Sequence, residues 1–491
     1  MKKLNILILG LILFVTSSCN DWLTIEPKSE SSADKMFSSE MGYSNALIGL
    51  YLDLQDLYSP GKFMMGGYIE YMAQAYTVSS SVSTESYFFN HNYNSTDLVN
   101  NALSNVFLNY YKVIANANVL LEHLEQENHV LTKDKADIIK GEALAIRAFC
   151  QLELIRLWGP VPSQAEHDRA YLPYVTIFSI EPYNYTPYDE YNKDIENDFK
   201  EALNLLRPYD PILKYSNTEL NSSYTNIQEY NEQFWYNRQK RFNYYGIEAL
   251  LARYYWWIGN SQEAYSYAKA VVDAKAPDGT PQFRLGKRSD AEASDFLFYH
   301  EHLVAIDITD DNRAYSQYFS AGIYSQDNRF RTYLFEGQTD LRTSSNLMRS
   351  STTRDYSTFP PTYKTSLTSL KFSHMTKDDA EMDNYGGYPK SLPLIRLSEL
   401  YLILMQEAPI TEANTYCNDF RSTREAYYNQ LTEANRNGEV LKEYAREYWC
   451  EGQTFFAHKQ MNATTWANTG NLANANNYIL PLPIDETGNY R

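Results

Sequence analysis

The chain has 491 residues, 44% of them hydrophobic and 21% charged, a composition that allows a sizeable core and excludes wholesale disorder. Acidic residues outnumber basic ones 61 to 43 and no basic stripe interrupts them, so a nucleic-acid backbone is excluded as a partner. Tyr is the unusual count, 44 residues against 22 Phe and 7 Trp, which supplies many flat rings that also carry a hydroxyl.

Lys2 and Lys3 precede an apolar run from Leu4 to Val15, which gives way to Thr16, Ser17 and Ser18 before Cys19. Residues 1–18 have the pattern of a signal peptide, with an apolar stretch too short for an ordinary membrane span. Small residues immediately before a Cys are the pattern of a bacterial lipoprotein site, in which the Cys19 thiol takes a diacylglyceryl group and the Cys becomes the first mature residue. One acyl chain holds a protein to a bilayer with only about 10⁴ M⁻¹, so stable anchoring takes two or more. The alternative is a secreted protein in which Cys19 is incidental. Residues 19–32, short, polar and Pro-containing, read as a tether from lipid to body. No other run reaches the ~18 apolar residues of a span, so the mature chain is expected to be anchored to a membrane without crossing it.

The body opens with helices over 33–275. Leu47, Leu50, Tyr51, Leu54, Leu57 and Tyr58 recur at helical spacing up to Ser59-Pro60-Gly61. The polar stretch from Thr77 to Asp97 reads as a long loop. A helix through Leu103, Tyr110, Ala117 and Leu124 follows, then one that starts after Thr132 and ends at Gly159-Pro160. Thr186-Pro187 opens another, with Tyr191, Ile195, Phe199 and Leu206 on one face. Residues 244–274 form a helix, a Gly259-Asn260 turn and a second helix. Leu251, Ala252, Tyr255, Gly259 and Ala264 match the tetratricopeptide pattern, in which small residues let two helices approach and a ring fills the groove beside them. One such unit cannot bury its outer face, so neighbouring pairs must stack on it, and Trp256 and Trp257 are expected to be packing residues.

From 276 to 392 the helical period fades into loops and short strands around Ser350-Ser351-Thr352-Thr353, Pro360-Pro361 and Gly386-Gly387, a large irregular insertion. Helices return over 393–491: through Leu397 to Ile403, from Thr411 to Ala426, and as one long helix from Glu439 to Met461. Tyr478 to Ile484 suits an edge strand. Cys150, Cys417 and Cys450 lie within helical patterns and read as buried thiols, with a Cys417 to Cys450 bridge left open.

Several segments, in order, carry a resemblance to a known family. Asp21-Trp22-Leu23 and Pro27 follow the lipid-site Cys; Phe37, Glu40, Ala46, Gly49, Leu50 and Tyr51 lie in the first helix. Gly141-Glu142-Ala143, Arg147-Ala148 and Leu157-Trp158-Gly159-Pro160-Val161-Pro162 form a helix running into a turn. Ile395 to Leu402, then Asn418, Arg421 and Arg424, then Glu447, Glu451-Gly452-Gln453 and Phe455-Phe456, and finally Leu480 to Ile484 complete the series. In these segments the chain resembles the SusD/RagB family of outer-membrane nutrient-binding lipoproteins. It departs at Gln406-Glu407-Ala408-Pro409, where Pro409 shortens the expected helix. The resemblance implies a mainly α fold, a TPR-like α/α superhelical stack of four helix pairs under an irregular region that bears the ligand site. It also implies capture of oligosaccharides or other nutrients, as a lid on a SusC-like TonB-dependent transporter at the bacterial outer membrane, with no cofactor and no catalysis.

The residues themselves offer little chemistry. G-x-x-x-x-G-K-[ST], H-E-x-x-H and G-x-S-x-G are absent, and Ser32-Ala33-Asp34-Lys35 matches S-x-x-K without its companion motifs, so it reads as a helix start. His300 and His302 could share a strand face, but zinc needs a third protein ligand. Asp307, Asp310, Asp311 and Asn312 lack the spacing and Gly of a calcium loop and read as a solvated turn. Sugars need rings for their C–H faces and polar groups for their hydroxyls. Two stretches supply both: Tyr87 to Tyr93, and Asn312 to Arg331. Tyr87, Phe88, Tyr93, Tyr315, Tyr318 and Tyr324 are therefore the candidate ligand contacts. Peptide capture is the alternative, and an α-helical glycosidase is a third.

Overall fold

The computed structural model describes residues 33–483, apart from 34, 79, 95, 127–129, 222–226, 228–229, 231, 309–318, 320–324, 356–358 and 374–389, together with Glu486. Cys19 and the expected tether lie outside the described residues, as do Tyr315, Tyr318, Tyr324, Asp310, Asp311 and Asn312.

Helix α1 (Glu40–Tyr58) begins where the Ser39 hydroxyl accepts the Gly42 N–H at 3.2 Å, and it ends at the Pro60 breaker. Two short helices follow, α2 (Tyr68–Met72) and α3 (Thr84–Phe89). The second lies in the stretch expected to be a loop. Its start is a capping box, in which Ser83 and Ser86 exchange side-chain and backbone hydrogen bonds, and Phe88 packs inward to hold it. Long helices α4 (Asp97–Leu124), α5 (Lys133–Trp158) and α6 (Tyr188–Leu206) come next, then α7 (Tyr244–Trp257) and α8 (Ser261–Val272). A two-stranded ribbon, β1 (Ala170–Leu172) and β2 (Thr186–Pro187), leads into α6.

Packing pairs α1 with α4, α5 with α6 and α7 with α8, and each pair rests on the next. Small residues set the spacing. A Cβ on Gly141 of α5 would stand 2.0 Å from a Leu206 methyl of α6, so any larger residue would push that pair apart. The middle of α5 is buried nearly all round, and its charged residues are paired there: Arg147 donates to both Asp198 oxygens at 2.7 Å, while Arg238 and Arg241 donate to Glu142. Trp256 and Trp257 are core residues, as expected.

Between 276 and 392 the described residues include β3 (His302–Asp307), β4 (Gln326–Asp327), helix α9 (Asn328–Phe335), β5 (Met348–Asp355) and β6 (Thr362–Ser369). Strands β4, β6 and β5 form an antiparallel sheet in that order. β3 instead pairs with β7 (Ser391–Arg396), which runs directly into α10 (Leu397–Glu407). α10 stops before Pro409, which becomes the N-cap of α11 (Ile410–Thr423), and these two helices make the fourth pair. Helices α12 (Arg436–Glu447) and α13 (Gln453–Gln460) replace the single helix expected from Glu439 to Met461. The break falls where Cys450 and Gly452 take φ of 74° and 78°. The Gly452 N–H then reaches Glu70 Oε1 at 2.7 Å, tying this turn to α2. The tail forms no strand among its described residues: Pro481 and Pro483 offer no N–H, and the segment is held instead by Trp158 Nε1 donating to the Pro481 carbonyl at 3.0 Å.

The family-like Arg and Glu residues of the C-terminal half meet in one buried ion cluster. Arg396 donates to Glu301, Glu447 and Glu451 at 2.8–2.9 Å, and Arg424 to Glu301 and Glu447 at 2.7–2.8 Å. Burial alone would raise the Glu443 carboxyl, but Arg342, Arg446 and Arg421 around it hold it down to about 2. The three cysteines are buried free thiols, and no bond joins Cys417 to Cys450.

Candidate functional site

A depression of about 810 Å³ opens where three segments converge: the chain after α2 with the end of α3, the β4–α9 junction, and the loop after α13. Tyr76, Thr77, Val78 and Phe89 come from the first; Gln326 to Phe330, Thr332 and Tyr333 from the second; Asn468, Thr469 and Asn471 from the third.

A hydrogen-bond knot around Gln74 joins the segments. Gln74 Oε1 accepts from the Thr469 hydroxyl at 2.7 Å and from Asn471 Nδ2 at 2.9 Å, while its Nε2 donates to the Phe89 carbonyl at 3.2 Å. The Gln326 amide donates to the Gln74 carbonyl, and Thr77 donates from both backbone and hydroxyl to the Ser325 carbonyl. Asn468 is buried in the wall: its Nδ2 donates to the Ala73 carbonyl at 2.8 Å, and its Oδ1 accepts no hydrogen bond from the described residues.

Below this knot lies a stack of rings. His91 and His458 sandwich the buried Trp466, each centroid 5.0 Å from the indole. Burial lowers both imidazoles to about 4, so both are neutral at ordinary pH. On the other side Phe330 packs on Trp449 at 4.8 Å, and Trp449 Nε1 donates to the Ala75 carbonyl at 3.1 Å. Of these rings Phe330 lines the depression, and with the buried Tyr76 it supplies an apolar floor.

The accessible rings are Phe89, half-buried, and Tyr333, 48% exposed. Tyr333 lies against Gly470, where φ is 73° and an added Cβ would stand 2.9 Å from the phenol oxygen. A glycine there permits both the turn and the approach of the ring. At the rim, Arg329 is held by Asp327 through bonds of 2.7–2.8 Å, which places a donor and an acceptor side by side. Two rings with amides, a hydroxyl and an Arg–Asp pair in one depression are the donor set that a neutral sugar chain requires.

Of the sequence candidates, Phe88 and Tyr93 are buried in this structure. Phe88 is 0% exposed and stacks on Tyr68 at 4.6 Å; Tyr93 is 5% exposed and donates to the Asn477 carbonyl. Both hold the segment in place. Tyr87 is half-buried against the core and does not line the depression. Their neighbour Phe89, in the same stretch, does line it. Tyr315, Tyr318 and Tyr324 lie outside the described residues, while Phe319 between them is a core ring against Phe372. Sequence reasoning missed Tyr76, Tyr333, Asn468, Thr469 and Asn471. The Asn-rich run after Trp466 was the available signal for the last three. His302 is buried on β3 and His300 precedes the strand, so they share no strand face; no metal-ligand cluster exists among the described residues.

The fold is that of the SusD superfamily. A SusD superfamily protein from Bacteroides thetaiotaomicron superposes with a TM-score of 0.66 at 19% identity, covering 91% of this chain and 97% of that one. A SusD-like carbohydrate binding protein from Bacteroides vulgatus gives 0.65 at 16% identity, covering 92% and 96%. A laminarin binding SusD-like protein gives 0.62 at 15% identity, covering 92% and 98%. Residues 21–218 match the SusD-like family model described as "Starch-binding associating with outer membrane". Two curated relatives from Formosa agariphila align as well: SusD-like protein P38 at 31% identity over 173 residues, 33% of this chain and 31% of that protein, and SusD-like protein P25 at 24% over 170 residues, 34% and 32%. The chain thus spans about a third of the length of the curated relatives it matches. The chain is thus similar to SusD-like proteins over residues 21–218 and shares the fold of the SusD superfamily structures.

Proposed function

We propose that this protein is a glycan-capturing surface lipoprotein and that the depression between Phe89 and Tyr333 is its binding site. The observation that carries this reading is the pairing of two accessible rings with uncharged amides and hydroxyls over a buried apolar floor. The description of the matched family and the laminarin-binding and carbohydrate-binding neighbours support the ligand class. Residues 1–18 are then the signal, Cys19 carries the lipid, and residues 19–32 tether the body to the outer membrane facing the cell exterior. The protein holds its ligand, performs no chemistry on it, and delivers it to a SusC-like TonB-dependent transporter.

Equilibrium binding of the mature chain to starch, laminarin, other soluble polysaccharides and peptides tests the site. Binding to a glycan that releases no new reducing ends is the expected result. Binding to peptides alone would move the ligand class, and release of reducing ends would make the protein an enzyme. For the anchor, a fatty-acid analogue should label the wild-type chain in cells and leave Cys19→Ala unlabelled.

A further inference from the structure

Helix α9 forms one wall of the candidate site, and on its far side lies a second depression of about 310 Å³. Successive residues of a helix turn by about 100°, so residues four apart share a face. Phe330 and Leu334 face inward and are buried, which fixes the helix on the body. Arg329 and Tyr333 lie on the flank that lines the larger depression. Arg331 and Phe335 lie on the opposite flank and line the smaller one, joined there by Gln338 just past the helix end. Asn328 and Thr332, one turn apart on the outward crest, line both.

The two depressions are therefore parts of one surface, separated only by a crest one helical turn long. That crest carries no apolar side chain. The side chains of Asn328, Arg331 and Gln338 are exposed and make no hydrogen bond with the described residues, so their donors and acceptors are free for a ligand. Phe335, 2% exposed, gives the smaller depression an apolar floor. This repeats on a smaller scale the composition of the main site, an apolar floor edged by polar groups.

We propose that the smaller depression is a second subsite for the same ligand, which continues from the main site across the Asn328–Thr332 crest. The inference rests on the reading of the main site as a glycan site. It adds that a bound oligosaccharide bridges α9, so that residues beyond the main site contribute to its affinity. In the second subsite the Arg331 guanidinium and the Gln338 amide hydrogen-bond to sugar hydroxyls.

Size-graded laminari-oligosaccharides and malto-oligosaccharides, from the disaccharide to the heptasaccharide, test this by calorimetric titration against the mature chain. Affinity should rise with length in the series that binds. Arg331→Ala and Gln338→Ala should each weaken the heptasaccharide about threefold to tenfold, the scale of one lost hydrogen bond, and leave the disaccharide within about twofold. Both residues are exposed, so the variants are expected to fold, and unchanged melting temperatures check that. Affinity that stops rising at the disaccharide, or variants that bind the heptasaccharide like the wild type, would overturn the second subsite while leaving the main site in place. Failure of both series to bind, with no other soluble polysaccharide bound by the wild type, would overturn the glycan reading of the main site and this inference with it.

Discussion

Arg424 is fully buried and meets two carboxylates; Arg331 stands exposed on α9 and meets none among the described residues. The first belongs to the ion cluster beneath α10 to α12, where the strongly charged residues are committed to one another. The second belongs to the rim of the smaller depression on α9, where the side chains of Asn328, Arg331 and Gln338 have no partner among the described residues. The contrast separates two uses of the same chemistry. Inside, a charge must find its partner within the fold, because burying it alone is costly. At the rim water satisfies the same groups until a ligand replaces it, so their freedom is itself the functional property.

Breaking the buried side of this contrast should have the largest effect. Glu447→Ala leaves Arg396, Arg424 and Arg342 short of a carboxylate inside the protein, and denaturant unfolding should show a loss of about 3–5 kcal/mol. Phe88→Ala and Phe89→Ala sharpen the contrast between sequence neighbours. The first empties a core position and should cost a similar ~3–5 kcal/mol, whereas the second should lower glycan affinity with a much smaller loss of stability. Tyr333→Ala should weaken binding about tenfold, the effect of ~1.4 kcal/mol, and leave unfolding within ~0.5 kcal/mol of the wild type.

Acidification gives a subtler effect. His91 and His458 have folded values lowered to about 4 from the ordinary 6.5, so their neutral forms support the fold above 6.5. That stability is lost progressively as pH falls from 6.5 toward 4, because the unfolded chain then takes up protons that the folded chain refuses. Glu70 acts in the opposite sense. Burial raises it to about 7 despite the Gly452 N–H, so stability falls as pH rises from its unfolded value near 4.5 through 7. Melting temperatures measured across pH should flatten over that upper interval in Glu70→Gln.

The long helices were legible because their apolar spacing is sustained over several turns and their ends carry stop signals such as Ser59-Pro60 and Gly159-Pro160. Helix α3 was not, since six residues are too few to show a period and its start depends on a reciprocal Ser83–Ser86 contact. The break between α12 and α13 was hidden because Cys450 takes a left-handed conformation that its side chain gives no reason to expect. In the candidate site, the stretch around Tyr87 to Tyr93 was found by composition, but which ring faces outward was not. Phe88 and Phe89 are identical in chemistry, and only the packing of α3 against Tyr68 and Phe63 decides between them. Asn468 and Tyr333 come from distant segments, brought together through Gln74 and Gly470, and no local pattern could pair them.

Calorimetric titration of a bound polysaccharide into the wild type and the double variant Phe89→Ala with Tyr333→Ala tests the central claim most directly. Wild-type binding that the folded double variant has lost by at least about a hundredfold, two tenfold steps, is the predicted result. Equal affinity in both proteins would contradict it and place the ligand elsewhere on the molecule.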